Sequence, residues 1–395
     1  MRKVPITLCL PFLLLTALMS GCRFLAANPK MASLSDSLDI LRLYPDEKIV
    51  PLLKNYKWHG HVRGNENLPE PLTLLYFSDI HGDSCRLKRI MRFYDHYENG
   101  FDGILHCGDA VLACSEEDWE WWEECGASKV MNLDGNHDTW TGNATASNGT
   151  KPWMTGYSAR YGFEKYIKPY LKEWGVTGYL DNSMCWYKDY GPQQIRLIAL
   201  DNFHFKEKVT LEDGTATNAY PSDGEEVDTG QQREWLDGVL KDALDKKLSV
   251  ICASHVPAAL DPIESTFMAL RPVQSTGLQK ELIESVQKFI DQGGEFITWL
   301  HGHNHQDWFG TVKDYPQQLA ITIDTARDLR EDGTTWSNNS KPDGTIAMDC
   351  FNILNVDPSG GIISMHRIGS EYDKYGRHIG GLVYDYKNRQ LMWNQ

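Results

Sequence analysis

The chain has 395 residues, 41% of them hydrophobic and 24% charged, with a formal net charge of -15 and a pI near 5.3. This composition is that of a globular protein, and its length suits either one large α/β domain or two to three smaller ones. The acidic balance argues against a general nucleic-acid binder, which carries a basic footprint; it leaves anionic substrates open, because bound divalent cations reverse the local field.

The N-terminus opens with Met1-Arg2-Lys3, an apolar run from Val4 to Met19, and a small-residue close at Ser20-Gly21-Cys22. A short charged start, a short apolar middle and small residues at the end read as an export signal over 1–21. The closing residues resemble the lipobox of bacterial lipoproteins. That resemblance implies lipidation of Cys22, export to the periplasm or cell surface, and membrane contact through the lipid anchor only. No later stretch approaches the roughly 20 apolar residues that a bilayer span needs.

Residues 22–68 read as a tether with a helical stretch over Leu34 to Leu53. A domain is expected over 69–370, where short apolar runs predict strands at 72–77, 103–107, 129–133, 195–200, 248–253 and 296–300. Helical periodicity at 86–97, 231–244 and 281–290 alternates with them, which predicts α/β layering. Runs at 320–323, 350–355 and 361–366 follow without helices between, so the sheets are mixed. The stretch from about 140 to 191 reads as an insertion rich in Gly, Tyr and Trp with one possible helix over 163–174, and 371–395 as a C-terminal extension.

The residues just after the predicted strands carry the chemistry: Asp79-Ile80-His81, Gly108-Asp109, Gly135-Asn136-His137-Asp138, His255, and Gly302-His303-Asn304-His305. Ligands of α/β sheets bind at that edge. Residues two apart in an extended segment face one side, which would let Asp79 and His81 serve one cation. Glycines at 108, 135 and 302 permit tight turns and close approach. Carboxylate, imidazole and amide donors together suit divalent Mn, Fe, Zn, Co or Ni. His106 and His301 fall outside this pattern and are expected to pack in the core or behind the ligands. Asn202 and His204, at another strand end, are possible pocket residues.

In this order and placement the five motifs resemble the signature of the calcineurin-like metallophosphoesterase superfamily, over about Leu72 to His305. The resemblance implies a four-layer sandwich of two mixed β-sheets flanked by helices, and two divalent metal ions. Asp79, His81 and His305 would hold the first and Asn136, His255 and His303 the second, with Asp109 bridging. It implies hydrolysis of a small phosphate ester by a metal-bridging hydroxide, with His137, oriented by Asp138, assisting the leaving group. Purple acid phosphatases resemble this scaffold but use a tyrosine where Leu112 stands here, so that branch is set aside. Asp138, where protein phosphatases of the superfamily carry Glu, leans the reading toward diesters. The competing reading is a catalytically silent binding protein of the cell envelope, which would be marked by a lost ligand.

Overall fold

The computed structural model describes residues 39–53, 70–111, 116–139, 155–156, 163–181, 183–202, 208–210, 216–219, 230–263, 278–327, 346–370 and 380–394. Cys22 and the expected export segment lie outside these residues. Among the described residues no helix is long and apolar enough to cross a membrane.

The first helical stretch is two short helices, α1 (Ile40–Leu43) and α2 (Asp46–Ile49), because Pro45 lacks the amide hydrogen that a continuous helix would use. The Asp39 carboxylate caps α1 by accepting from the Leu41 amide at 3.1 Å. Ile40, Tyr44, Ile49 and Leu53 are buried in the main core. The described end of the expected tether is therefore docked on the domain.

β1 (Leu72–Phe77) is buried along its whole length, as an apolar strand covered on both faces should be. α3 (Ser84–Tyr97), capped by Asp83, leads to β2 (Gly103–His106), which pairs parallel to β1. α4 (Glu116–Glu124) buries Trp119 and Trp122 and leads to β3 (Met131–Asn132), parallel to β2. One helical turn follows, α5 (Asn136–Thr139), and then β4 (Thr155–Gly156). The helix expected over 163–174 is broken at Pro169, and only α6 (Leu171–Trp174) is α-helical, ending at Gly175 with φ 66°. β5 (Gly178–Tyr179), β6 (Trp186–Tyr190) and β7 (Ile195–Ala199) run antiparallel to one another in turn.

β8 (Lys208–Thr210) and β9 (Ala216–Ala219) join β4 in a small third sheet. α7 (Gly230–Lys246), β10 (Ser249–Ala253), β11 (Leu260–Pro262), α8 (Lys280–Asp291) and β12 (Phe296–His301) restore the strand–helix alternation. The chain ends in strands alone: β13 (Trp308–Val312), β14 (Tyr315–Thr322), β15 (Cys350–Asp357), β16 (Ile362–Gly369), β17 (Gly381–Asp385) and β18 (Gln390–Asn394).

The main sheets are seven-stranded, in the order β18-β17-β16-β15-β1-β2-β3, and eight-stranded, in the order β11-β13-β14-β12-β10-β7-β6-β5. Both are mixed: the smaller is parallel at its β1-β2-β3 end and antiparallel elsewhere, the larger has a parallel centre and antiparallel flanks, and helices cover them; this is the expected sandwich. They meet face to face where the Tyr76 hydroxyl donates to the His301 carbonyl at 2.8 Å and where the Phe309 and Tyr384 rings lie 5.0 Å apart. Two boundaries differ from the sequence reading. The end of the expected insertion supplies β5 and β6 to the larger sheet, and the expected C-terminal extension supplies β17 and β18 to the smaller one. The alternation of such short edge strands is too brief to stand out from loop sequence.

Candidate metal centre

The carboxyl ends of β1, β2, β3, β10 and β12 converge between the two sheets. Backbone bonds carry the pairing past the strand ends: the amides of Asp79, His81 and Gly82 donate to the carbonyls of Gly108, Asp109 and Ala110, each at 3.0 Å. Across the seam, the His303 amide donates to the Asp79 carboxylate at 3.0 Å. Two groups of side chains result. Asp79, His81, Asp109 and His305 offer ligand atoms all within 4.8 Å of one another, and so do Asp109, His255 and His303. Asp109 belongs to both. Asn136 joins the second group, its Oδ1 lying 2.9 Å from His303 Nδ1 and 3.2 Å from His255 Nε2.

The backbone at these positions is not the extended chain that the spacing argument assumed. Asp79, His81, Asp109, His303 and His305 have φ of 56°, 45°, 60°, 68° and 51°. Each non-glycine residue in this left-handed region costs on the order of 1–3 kcal/mol, and such strain gathers at functional sites. Asp79 and His81 do share a group, but through tight turns rather than strand parity. Two glycines serve a different end from the one expected. A Cβ at Gly302 would stand 1.9 Å from Ser78 Oγ, and one at Gly135 would stand 2.1 Å from the Asp109 amide nitrogen. They let loops of the protein itself close on one another.

The donor set fits a cation. His255 Nδ1 lies 2.6 Å from the Cys107 carbonyl and must donate to it, which leaves Nε2 facing Asp109 Oδ2 and Asn136 Oδ1, each at 3.2 Å. Lone pair faces lone pair there, an arrangement stable only with positive charge between. His81 Nε2 and His305 Nε2 approach to 3.1 Å in the same manner. Without a metal, protons take that place. Burial opposes charge on His255, but Asp109 and Asp79 outweigh it and raise its pKa to about 9. Burial would likewise raise Asp79 and Asp109; His305 and His255 hold the first, and His255 and His137 the second, below the ordinary carboxylate range. Burial pushes His303 down to about 4.

His137 is half-buried, its amide donates to Asp109 Oδ1 at 2.8 Å, and its ring meets the His81 ring edge-on at 4.8 Å. Asp138 is buried and does not orient that ring. Its carboxylate accepts from the amides of Asp109 (2.9 Å), Val111 (3.1 Å) and Gly135 (2.9 Å), so it braces the Asp109 turn. Asn202, expected in a pocket, braces the His255 turn instead: its Oδ1 accepts from the Val256 amide at 2.8 Å and its Nδ2 donates to the Val256 carbonyl at 3.4 Å. His204 lies outside the described residues. His106 is buried against Asn132 Oδ1 (2.6 Å) and His301 against Ser254 (3.0 Å), both in the core as expected.

Sequence reasoning passed over several residues. Thr325 Oγ1 donates to the Asp79 carbonyl at 2.6 Å and Arg327 Nη1 to the His81 carbonyl at 2.8 Å, fastening the first turn from behind. Asp134 is fully buried beside Asn136's turn, and burial together with the charge of Asp201 raises its carboxyl well above the ordinary carboxylate range. The polar run from His301 to Asp307 and the hydroxyl and acid after β14 were the available signal.

The family model for calcineurin-like phosphoesterases matches residues 72–307, more than half of the chain. The chain belongs to that family. As a calcineurin-like phosphoesterase it is a metal-dependent hydrolase of phosphoric ester bonds. Solved structures similar to it include a dimetal phosphatase from Danio rerio, 13% identical, covering 79% of this chain and 98% of that one with a TM-score of 0.46. A predicted phosphoesterase from Streptococcus pneumoniae is 11% identical, covering 80% of this chain and 97% of that one with a TM-score of 0.30. No curated protein matches the sequence.

Proposed function

We propose that this phosphoesterase works with two divalent cations on a small phosphate ester, with diesters favoured slightly over monoesters. Asp79, His81 and His305 would hold one cation and Asn136, His255 and His303 the other, with Asp109 between them. The observation that carries this reading is that Asp109 belongs to both convergent groups of donors. A carboxylate has two oxygens, and Oδ2 of Asp109 already lies 3.2 Å from His255 Nε2 and 3.8 Å from His81 Nε2. Cations bound there would supply a water of lowered pKa and neutralise charge on the phosphate oxygens.

The remaining work falls to the chain. The bond from the His137 amide to Asp109 Oδ1 fixes residue 137 beside the shared carboxylate. Its ring is half-buried and edge-on to His81, and in this reading it would donate a proton to the departing ester oxygen. Such assistance is typically worth about 10²–10⁴-fold. Asp138 keeps the turn closed so that this placement holds. The preference for diesters rests on Asp138 following the histidine. The export segment and Cys22 support a lipid-anchored enzyme facing envelope or environmental phosphates.

The test strips the protein with chelator and assays bis-p-nitrophenyl and p-nitrophenyl phosphate while Mn, Zn, Co or Mg is restored singly. Metal-restored hydrolysis that is lost in Asp109→Asn and falls at least roughly 10²-fold in His137→Ala, with metal content retained in the latter, is expected. Folded, metal-loaded protein that hydrolyses neither ester would sink the reading, and a monoester preference would reverse its diester part.

A further inference from the structure

The turn that carries His303 and His305 is fastened by a residue from the other sheet, 60 positions beyond the segment that defines the family. Arg367 lies on β16, beside Ile368 and two residues past Met365, and its side chain is 1% exposed. Every edge of that guanidinium is engaged. Nε donates to Asn352 Oδ1 at 3.0 Å, Nη1 lies 2.5 Å from Cys350 Sγ, and Nη2 donates to Asp307 Oδ1. Cys350 and Asn352 are on β15 of the seven-stranded sheet, whereas Asp307 is two residues past His305 at the start of β13 in the eight-stranded sheet.

Asp307 also accepts from the Asp324 amide at 3.2 Å, which ties the end of β14 to the same point. The turn between β12 and β13 thus has two anchors: the Asp79 carboxylate on the His303 amide at its start, and the Arg367–Asp307 pair at its end. Between them stand two histidines in left-handed backbone, a conformation that persists only where surrounding structure enforces it. A planar guanidinium with donors in fixed directions suits this task better than an ammonium. Removing it would take the buried cation away from the Asp307 carboxylate, and breaking a buried pair from one side is the costly case.

We propose that Arg367 is a positioning residue for the metal centre, acting through Asp307 to hold His305 and His303 in ligand geometry. This rests on the proposed metal-binding function of those histidines. It makes the C-terminal strands part of the site: residues after His305 set how well the site takes up its metal.

The test titrates chelator-stripped protein with Co(II), following the visible absorption of the bound ion and its stoichiometry, with hydrolysis assayed in parallel. Arg367→Met and Arg367→Lys should weaken cobalt uptake at least tenfold and alter its spectrum. The value of kcat should fall further than KM changes, with lysine recovering little of the loss. Asp307→Asn, which keeps the shape and removes the charge, should reproduce the defect and carries the test if Arg367→Met does not fold. The double variant Arg367→Met with Asp307→Asn should be no worse than the worse single one, because the two residues act as a unit. Folded Arg367 and Asp307 variants with wild-type cobalt affinity and spectrum would overturn the inference while leaving the proposed function standing. Wild-type protein that takes up no cobalt, and no other divalent cation, would overturn both.

Discussion

The two sheets contribute unlike halves to one site. The seven-stranded sheet brings both carboxylates, Asp79 and Asp109, together with His81 and Asn136; the eight-stranded sheet brings only imidazoles, on His255, His303 and His305. Side chains brace both halves, Asp138, Thr325 and Arg327 the first and Asn202, Asp79 and the Arg367–Asp307 pair the second, while backbone bonds run between the turns of the first. All of the negative charge therefore sits on one wall and the other offers only imidazoles, and neither wall is a metal site alone. A bound cation would join the halves as well as serve the reaction.

That contrast predicts a hierarchy of effects. Asp109→Asn takes the shared charge out of both donor groups and should cost roughly 10³-fold or more in metal-supported kcat, equivalent to about 4 kcal/mol. His305→Ala touches one group and should cost less; equal losses in steady-state assays would erase the distinction between the walls. Gly302→Ala tests the closeness of the seam itself, because a methyl group there meets Ser78 Oγ and Asp79 Oδ2. We expect it to lose roughly 2–4 kcal/mol in urea unfolding of the stripped protein, and an unchanged midpoint would mean that the turns are not tightly closed.

Metal removal comes next in size. If cations link the walls, a metal at about a hundredfold over its Kd should add about 2.7 kcal/mol to unfolding free energy. Differential scanning calorimetry with and without chelator measures this, and identical melting curves would contradict it.

The smallest effect concerns the imidazoles behind the site. Burial lowers His106 to about 4, His301 to about 3 and His366 to about 4. Unfolded, each titrates near 6.5, so between pH 6.5 and 4 the unfolded chain binds more protons and stability falls as pH falls. Each of the three should cost stripped protein roughly 1 kcal/mol between pH 6.5 and 5.5 by urea titration, and His301→Asn should flatten that slope by its share.

Much of this was legible before any coordinates. The ligand candidates announced themselves because carboxylates and imidazoles follow glycine or an apolar run at each strand end, as at Gly108-Asp109 and Gly302-His303. The reason given for Asp79 and His81 was wrong, since a left-handed φ leaves no trace in composition when the residue is Asp or His. The bracing role was hidden for a different reason. Asp138 and Asn202 look like site residues by position, and only the direction of their carboxylate and amide shows that they hold backbone. Arg367 carried a usable sign, a charge at the end of the predicted strand that follows Gly361, but its partner lies 60 residues away and no local pattern names it. The strands β17 and β18 are too short to announce themselves, and long-range pairing with packing of Leu382 and Tyr384 in the core brings them into the sheet.

The placement of β15 has a consequence for how the molecule is made. β1, which leads directly to Asp79 and His81, is sandwiched between β2 and β15, and the bond between Tyr76 and Asn352 spans 276 residues. Closing so long a loop is slow even when its final cost is modest. During synthesis the first ligand turn emerges early and must wait, one edge of its strand unpaired, until the last quarter of the chain appears. An unpaired apolar strand in waiting is an invitation to aggregation. The step that completes the sheet is then the same step that closes the metal site, and newly made protein should gain resistance to proteolysis and affinity for metal together.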